Sequence, residues 1–537
     1  MPTSTNVLIV GAGPTGLVLA LCLATLGIAV RLIDKNPSPG TTSRALGVQA
    51  RTLELYRRLG LADSVAAAGH PAPAVNLWVG GARRAHLAFG PALAALTSYP
   101  FLLLLPQDQH ERLLLERLAT LGVTVERGTQ LTRFTQDDDG VRATLRRPDG
   151  SDQVCAARYL AGCDGAHSTV RDGLRIGFTG GTYERLFYVA DIVAGGAALD
   201  GDVHLQLGAV ADFLVLLPLA GAGRARLVGT LADPGAARQA ALTFDDVDRQ
   251  ALHRLRIDVR QVDWFSTYRV QHRVAEHLRA QHAFLLGDAG HIHSPAGGQG
   301  MNTGIGDAVN LAWKLAAVLR RQAGPALLDS YELERIGFAR QLVASTDRVF
   351  TLATSARPLA LVARTTIAPL LLAIASRLAP VRRRLLRTVS QLALHYRASP
   401  LSAGRAGRLC GGDRLPWLKA AGTGNHPPTA GLAWQVHVVG AASAALLAWC
   451  ADAGIALTVS PWSAAARRAG FGRDAAYLIR PDGYVALAAP TAAPQRFAHY
   501  LARHGISPGS DHDCLQLVRA QVANNRGLTP GWFSGPR

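Results

Sequence analysis

The stretch Val7-Leu8-Ile9-Val10-Gly11-Ala12-Gly13-Pro14-Thr15-Gly16 runs from an apolar strand into a glycine turn, and an apolar helical pattern follows from Leu17 to about Leu26. Ala29 to Ile33 resumes a strand. Asp34 follows, about 20 residues beyond the glycines. Glycines permit the tight turn and let main-chain N–H groups approach a ligand, and a helix start favours phosphate. A carboxylate at Asp34 accepts hydrogen bonds from ribose hydroxyls, and Lys35 joins it as a binding candidate. Strand, turn, helix, strand and acid in this order form the dinucleotide fingerprint in its full context, which a merely structural glycine turn does not require. Met1 to Asn6 is too short and too polar for a signal peptide, so the fingerprint is expected to open the mature chain.

Two distant stretches extend the pattern. In Phe284-Leu285-Leu286-Gly287-Asp288-Ala289-Gly290-His291-Ile292-His293-Ser294-Pro295-Ala296-Gly297-Gly298-Gln299-Gly300-Met301-Asn302 an apolar strand ends in Gly-Asp and a glycine-dense loop follows. Apolar residues at Ile305, Ala308, Val309, Ala312, Ala316 and Leu319 then predict a helix. A carboxylate followed by bare backbone at a helix N-terminus suits a ligand with ribityl or ribose hydroxyls and a flat polar ring. Tyr159 to Arg171 reads as strand, Asp164-Gly165 turn and helix start, with Ser168 at a capping position. His291-x-His293 invites a metal reading, but no third ligand at suitable spacing accompanies it.

On these motifs the chain resembles the class A, single-component FAD-dependent aromatic monooxygenases. Within them it is most similar to the aromatic-polyketide and phenol hydroxylases that carry an extra C-terminal domain. Ser43-Arg44-Ala45 leading to Arg51-Thr52-Leu53-Glu54, and Pro106-Gln107 with Glu111, also match in the family's order. The matches spread over roughly the first 340 residues, and their joint order is far more specific than any one of them. The resemblance implies FAD as cofactor, with NADPH or NADH and O₂ as co-substrates. It makes Gly11, Gly13, Pro14, Thr15 and Gly16 cofactor-binding, with Asp34 on the adenosine ribose. Arg44 is expected at the flavin or pyrophosphate, Gln107 at the cofactor's linker, and Asp164 between cofactor and nicotinamide path. Gly287 and Asp288 are expected at the ribityl chain and Pro295 over the isoalloxazine. Gly298, Gln299, Gly300, Met301 and Asn302 would present N–H groups to its pyrimidine edge, where a helix N-terminus stabilises the anionic reduced ring. Arg171 is read as a helix-start surface residue with at most a loose cofactor role, and Arg335 as a structural ion pair.

The implied reaction inserts one oxygen atom from O₂ into an aromatic, phenolic or polyketide-like substrate through a hydroperoxyflavin, which the protein shields from water and aims. Pro295 and Gly298 are the catalytic candidates as flavin environment; no side-chain base is identified. Where phenol hydroxylases carry an acid before Arg-Thr-Leu-Glu, this chain has Leu46, which suggests an apolar pocket for a larger fused-ring substrate. Trp78, Tyr99, Phe101, Phe213 and Tyr268 are candidate pocket aromatics, each equally able to be core. The alternatives are Baeyer–Villiger or antibiotic-inactivating oxygenation on the same scaffold, a flavin reductase or dehydrogenase, and a basic binding protein that merely retains flavin.

Composition bounds the partners. The 537 residues exceed one core, and no run is apolar enough to span a membrane. The net charge is +18, but the only lysines are Lys35, Lys314 and Lys419, and the arginines spread along the chain without the interleaved aromatics of a nucleic-acid binder. The run Arg382-Arg383-Arg384-Leu385-Leu386-Arg387, after apolar Ala368 to Ala379, is read as a helix on the flavin domain with a solvated basic face. That reading is preferred to a stretch lying on an acidic membrane, though weak peripheral contact stays open. Cys22, Cys155, Cys163, Cys410, Cys450 and Cys514 show no C-x-x-C spacing, so a reducing cytoplasm is expected.

The expected fold class is α/β. A discontinuous Rossmann-like FAD domain of the glutathione-reductase type takes residues 1–177 and 275–395, with about 75–105 lent to a β-sheet substrate domain at 178–274. Val203 to Leu207 alternates like a half-buried strand, and Phe213 to Leu217 with Arg226 to Thr230 flank a Gly221-Ala222-Gly223 hairpin turn. Pro148-Asp149-Gly150 marks another hairpin turn. Residues 400–537 resemble a thioredoxin-like domain without a redox C-x-x-C, expected to be structural or to support a homodimer.

Overall fold

Val7 to Val10 is apolar and buried on both faces, which suits a central strand of a parallel sheet. A computed structural model describes residues 3–40, 45–208, 213–231, 241–294, 298–354, 358–419 and 431–508. Arg44, Pro295 and Cys514 therefore lie outside the described residues.

The first sheet runs in the order Arg279–Ala280, Ala283–Leu285, Asp152–Gly162, Thr3–Val10, Val30–Asp34, Val125–Arg127. All neighbours but the first pair are parallel, with Val10 in register with Ile33 and Gly162, and Gly162 with Leu285. Parallel strands in this register finish at one edge. The fingerprint turn, Asp34, the Cys163-Asp164 turn and the Gly287-Asp288 turn all emerge there. The Pro14–Thr25 helix is apolar all round and buried from Gly16 to Leu23, as a helix covered on every side must be. Gly140–Arg146 and Asp152–Gly162 pair antiparallel across the turn that holds Pro148-Asp149-Gly150.

A second sheet has the order His291–Ile292, Ile257–Ala275, Phe178–Gly196, Arg224–Leu231, Phe213–Pro218, Val203–Leu207, Ala74–Val79, Ala82–Ala88. It is antiparallel except where Val203–Leu207 lies parallel to Ala74–Val79. One face packs Tyr188, Ile192, Leu214 and Leu216 under the short Arg249–Arg254 helix. The other carries Val203, Val215, Leu217, Phe187 and Phe213. Helices therefore cover both faces, and Val203–Leu207 is buried along nearly its whole length, not half-buried as its alternation suggests. Of its polar residues, His204 stays inside by pairing: it accepts from Trp78 Nε1 at Nδ1, 2.9 Å away, and meets Asp200 through Nε2 at 2.8 Å, whereas the buried Gln206 amide has no partner among the described residues.

The apolar-to-basic segment departs from expectation. It is not one helix but Ala368–Arg377 followed by Ala379–Val389. Leu372 and Ala373 pack on Leu77, Val79 and Leu207 of the second sheet, not on the flavin-type sheet. The outward side of the first helix is apolar, and only the second has a solvated basic face.

By internal contacts the chain divides into two units, residues 1–316 with 328–394, and residues 317–327 with 395–537. The second unit has its own sheet, ordered Leu409–Cys410, Ala403–Ala406, Val485–Ala489, Ala475–Ile479, Gln435–Val439, Ala456–Ser460. Gln435–Val439 is parallel to Ala456–Ser460 and antiparallel to Ala475–Ile479. Helices Ala444–Asp452, Ala464–Ala469 and Pro494–Arg503 accompany it. Its apolar core includes Val439, Phe471, Tyr477, Ile479 and Val485.

Candidate active site

The glycines of the fingerprint are required for different reasons. A Cβ on Gly11, whose φ is +101°, would collide with the Cys163 carbonyl, and one on Gly16 with the Gly11 carbonyl. A Cβ on Gly13 would meet no protein atom within 4 Å, and its φ of −77° suits any residue. The described protein itself does not demand glycine there, and the bare backbone is open to the approach of a ligand. Gly13 is also the N-cap of the Pro14–Thr25 helix, and no side chain caps it. A helix start without a side-chain cap can receive an anion on its first N–H groups.

Neighbouring segments are stitched to this turn. Thr15 Oγ1 occupies the space where a Cβ of Gly287 or Gly304 would stand, so both positions must be glycine for the Gly-Asp turn to pack here. Asp34 Oδ2 accepts from the Ala12 N–H at 2.8 Å and Oδ1 from the Asn36 N–H at 2.8 Å. Its carboxylate holds the glycine turn and keeps further lone pairs for a hydroxyl. Lys35 beside it is exposed. Arg127 reaches to 3.7 Å of Asp34. Glu111 accepts from Gln107 Nε2 at 2.8 Å, and burial pushes its carboxyl up. Arg127 was missed in the sequence; its signal is the pairing of Val125–Arg127 with Val30–Asp34, which sets it opposite Asp34.

Three aspartates at this edge do three jobs. Asp164 accepts from Ser168 Oγ and from the Val170 N–H at 3.2 Å, so it fastens the helix start that Ser168 caps. Asp307 is wholly internal: it accepts from the Gly287 N–H at 3.0 Å, pairs with Arg335 at 2.6 Å and meets His291 Nε2 at 2.7 Å. Arg335 and His291 hold its carboxyl down at about 2, against the pull of burial. Asp288 alone is uncommitted: it is exposed and has no hydrogen-bond partner among the described residues. It is nonetheless recessed, with enough protein around it to push its carboxyl above the ordinary range. An accessible carboxylate can accept hydroxyl hydrogen bonds with both oxygens.

The second wall is built by residues 45–52 and 298–302. Asn302 Nδ2 donates to the Gly47 and Gly298 carbonyls, both at 2.8 Å, while its Oδ1 accepts from the Gln49 N–H and Thr52 Oγ1. Every polar valence of that side chain is spent joining the two segments, so only its backbone is left for a ligand. Gly47 and Gly298 face each other so closely that a Cβ on Gly298 would stand 3.8 Å from the Gly47 Cα. Gly298 has φ +60° and Gly300 opens the Gly300–Leu319 helix, whose next residue is Met301. Gln299 donates to the Val389 carbonyl and accepts from Gln391, which leaves it a structural role. His291 and His293 do not converge. His293 Nδ1 meets the Ser294 carbonyl at 2.6 Å, its Nε2 is buried without a partner among the described residues, and burial lowers its pKa to about 4. Arg171 is no surface residue: it is buried, donates to the Ala289 and Ala166 carbonyls, and stacks over Phe178.

The candidate aromatics separate. Phe213 and Tyr268 join Phe187 and Phe350 in one cluster on the sheet's inner face. Leu46 packs on the same face with Leu104, Val203 and Leu217. Trp78 points to the opposite face, into the core under the Arg249–Arg254 helix, because it alternates with Leu77. Trp78 is therefore a core residue and not a pocket aromatic. Tyr99 is buried edge-on to Phe101, with ring centroids 6.3 Å apart, near Arg57 and Asp63. Neither ring belongs to the inner-face clusters. Tyr183 also joins the Phe187–Phe350 cluster and donates to Asp347, with His272 3.9 Å from that carboxylate.

Comparison with known proteins agrees with this geometry. Residues 4–346 match the family described as FAD binding domain. The 6-methylpretetramide 4-monooxygenase of Streptomyces rimosus is 39% identical over 74% of this chain and 71% of its own length. The pentachlorophenol 4-monooxygenase of Sphingobium chlorophenolicum is 35% identical over 63% of each chain. Among solved structures, the anhydrotetracycline hydroxylase of Streptomyces rimosus superposes with a TM-score of 0.74 at 29% identity, covering 94% of this chain and all of its own. The chain thus belongs to the FAD binding domain family and is a flavoprotein monooxygenase.

Proposed function

We propose that the protein inserts one oxygen atom from O₂, at the expense of NADPH or NADH, into a fused-ring phenolic substrate of the polyketide kind. The observation that carries this reading is the position of Leu46. Its side chain belongs to the apolar inner face of the second sheet, and the next residue, Gly47, faces Gly298 across the close approach described above. The flavin-side wall and an apolar, aromatic-lined surface thereby share one point. A large apolar ring system suits that surface, where a small phenol would leave it unfilled. The names of the relatives, which include a methylpretetramide and an anhydrotetracycline oxygenase, support the same class.

FAD, when bound, supplies the two-electron reduction and the activation of O₂. The chain's own residues bind and shield. Gly13 and the uncapped helix start receive the pyrophosphate, Asp34 and Lys35 the adenosine end, and Asp288 the ribityl hydroxyls. Gln107 lies beside the linker, and the backbone N–H groups of Gly298, Gly300, Met301 and Asn302 stabilise negative charge on the ring's pyrimidine edge. Asp164 acts by holding its turn, and Phe213, Tyr268 and Leu46 exclude water over the ring. Asp347, tied to the aromatic cluster by Tyr183, is a side chain there able to move a proton.

The first unit comprises, on this reading, a discontinuous Rossmann-like FAD domain and a substrate sheet at 178–274 joined by about 75–105. The second unit is thioredoxin-like: its sheet order and Gln435–Val439, helix, Ala456–Ser460, helix, hairpin, helix succession support that. It is structural or supports a homodimer, and the protein works in the cytoplasm. No described helix is long and apolar enough to cross a membrane.

The test is a panel of anthraquinones, tetracyclic phenols, salicylates and simple phenols, scored for stimulated NAD(P)H oxidation under isotopically labelled O₂. A multi-ring phenol gaining one labelled ring hydroxyl is expected. Unlabelled product would indicate a dehydrogenase, and oxygen placed beside a carbonyl a Baeyer–Villiger enzyme.

A further inference from the structure

Helices that cover a substrate sheet are normally apolar inside and polar outside. The segment from Pro358 to Arg377 breaks that rule. Leu359 is 85% exposed, Leu370 and Leu371 60% each, and Val362, Ile367, Ile374 and Leu378 are also exposed. Six of the fourteen large apolar side chains exposed among the described residues fall in this one segment, and Leu378 and Val381 come just after it. They form a stripe. Ile367, Leu371, Ile374 and Leu378 follow at helical spacing, and Val362 is brought onto the same side by the π-helical turn Ala363–Ile367, whose wider pitch suits a five-residue step. The opposite side is already used, since Leu372 and Ala373 pack on the sheet.

The charge beside this stripe has one sign. No aspartate or glutamate occurs between Asp347 and Asp413. Arg377, Arg383, Arg384 and Arg387 are exposed and form no ion pair among the described residues. A second copy of this chain meeting the face would set these arginines against their own like. What complements an apolar stripe bordered by unpaired guanidinium groups is a surface with an apolar interior beneath anionic headgroups.

We propose that this face docks the protein onto an anionic lipid surface, with Leu359, Leu370, Leu371 and Ile374 entering the headgroup–acyl boundary and the arginines on the phosphates. Docking is peripheral. The helices that touch lipid on one side then line the substrate sheet on the other, so an apolar substrate dissolved in the bilayer has a short path to the site.

The test is co-sedimentation of the full FAD-loaded chain with vesicles of phosphatidylglycerol alone or phosphatidylcholine alone, at physiological salt. Binding to the first and not the second is expected. The double variant Leu370→Asp/Leu371→Asp, checked to retain flavin absorbance and NAD(P)H oxidation, should bind on the order of tenfold less. Arg383→Glu/Arg384→Glu should bind less and lose the salt dependence. Undiminished binding by the leucine variant would overturn the proposal and assign the effect to diffuse positive charge. A concentration-dependent doubling of mass that Leu370→Asp/Leu371→Asp abolishes would overturn it in favour of self-association. Retention on polyaspartate but on neither vesicle would overturn it in favour of an acidic protein.

Discussion

Two strand–turn–helix–strand units in this molecule look alike and behave oppositely. In the first unit Thr3–Val10 leads through Gly13 into Pro14–Thr25 and on to a parallel neighbour, Val30–Asp34. In the second unit Gln435–Val439 leads through Ser443 into Ala444–Asp452 and on to a parallel neighbour, Ala456–Ser460. The difference is at the helix start. Ser443 Oγ accepts from the Leu446 N–H at 3.2 Å and closes its helix; Gly13 offers no side chain and leaves its helix open. A serine cap satisfies an orphan N–H locally, whereas its omission reserves the N–H for an anion. A binding site here is an omission in the fold, not an addition to it.

The largest effect should come from the carboxylate that completes the open unit and has no counterpart in the closed one. Asp288→Ala should weaken FAD affinity by on the order of 100-fold, the loss of two charge-assisted hydrogen bonds. The thermal midpoint without FAD should stay near that of the parent, because no described residue hydrogen-bonds to this side chain. Equal flavin retention after purification would remove Asp288 from the site.

Acid should next strain both units. His110 in the first unit and His437 in the second are buried and His293 is half-buried, each with its pKa lowered by loss of solvent to about 4 from an ordinary 6.5. Between these values the unfolded chain takes up protons that the folded chain refuses. Stability should be full above about pH 6.5 and fall as pH drops towards 4, by on the order of a few kcal/mol per histidine. His437→Phe should relieve only the second unit's share, read by denaturant melts across that window. A flat profile would mean these rings are charged or hydrated in the folded state.

The smallest effect belongs to the closed helix. Ser443→Ala should cost about 1 kcal/mol of second-unit stability and leave FAD affinity unchanged. Flavin loss in that variant would show that the two helix starts are not independent.

The contrast also explains what was legible in the sequence. The fingerprint, the Asp164 and Gly287-Asp288 turns and the capping Ser168 are local requirements, each readable from a few adjacent residues. Which side a strand residue faces is not local. Trp78 read as a pocket aromatic because nothing in its neighbourhood tells that Leu77, not Trp78, shares a face with Phe213. Val203 to Leu207 is buried beyond what its alternation implies because the groups that cover it, Trp78 against His204 and Leu372 against Leu207, lie far along the chain. Of the Asp307, His291 and Arg335 network the sequence shows only that Arg335 makes a structural ion pair, not that Asp307 and His291 complete it. Its members are spread from the Gly-Asp loop through two successive helices, and only their folding together shows that one carboxylate anchors the Gly287 turn. The exposed apolar stripe after Pro358 was hidden by a π-helical turn that no 3.6-residue period anticipates.

The most direct measurement is an FAD titration of the parent chain and of Gly13→Val, followed by flavin fluorescence, with the melting curve of each recorded alongside. No atom of the described residues lies within 4 Å of the added Cβ, so the fold should survive intact. The account predicts saturable, stoichiometric binding by the parent and loss of binding by on the order of 100-fold or more in the variant, with matching melts in the absence of FAD. A Gly13→Val protein that takes up FAD as the parent does, or a folded parent that takes up none, would contradict it.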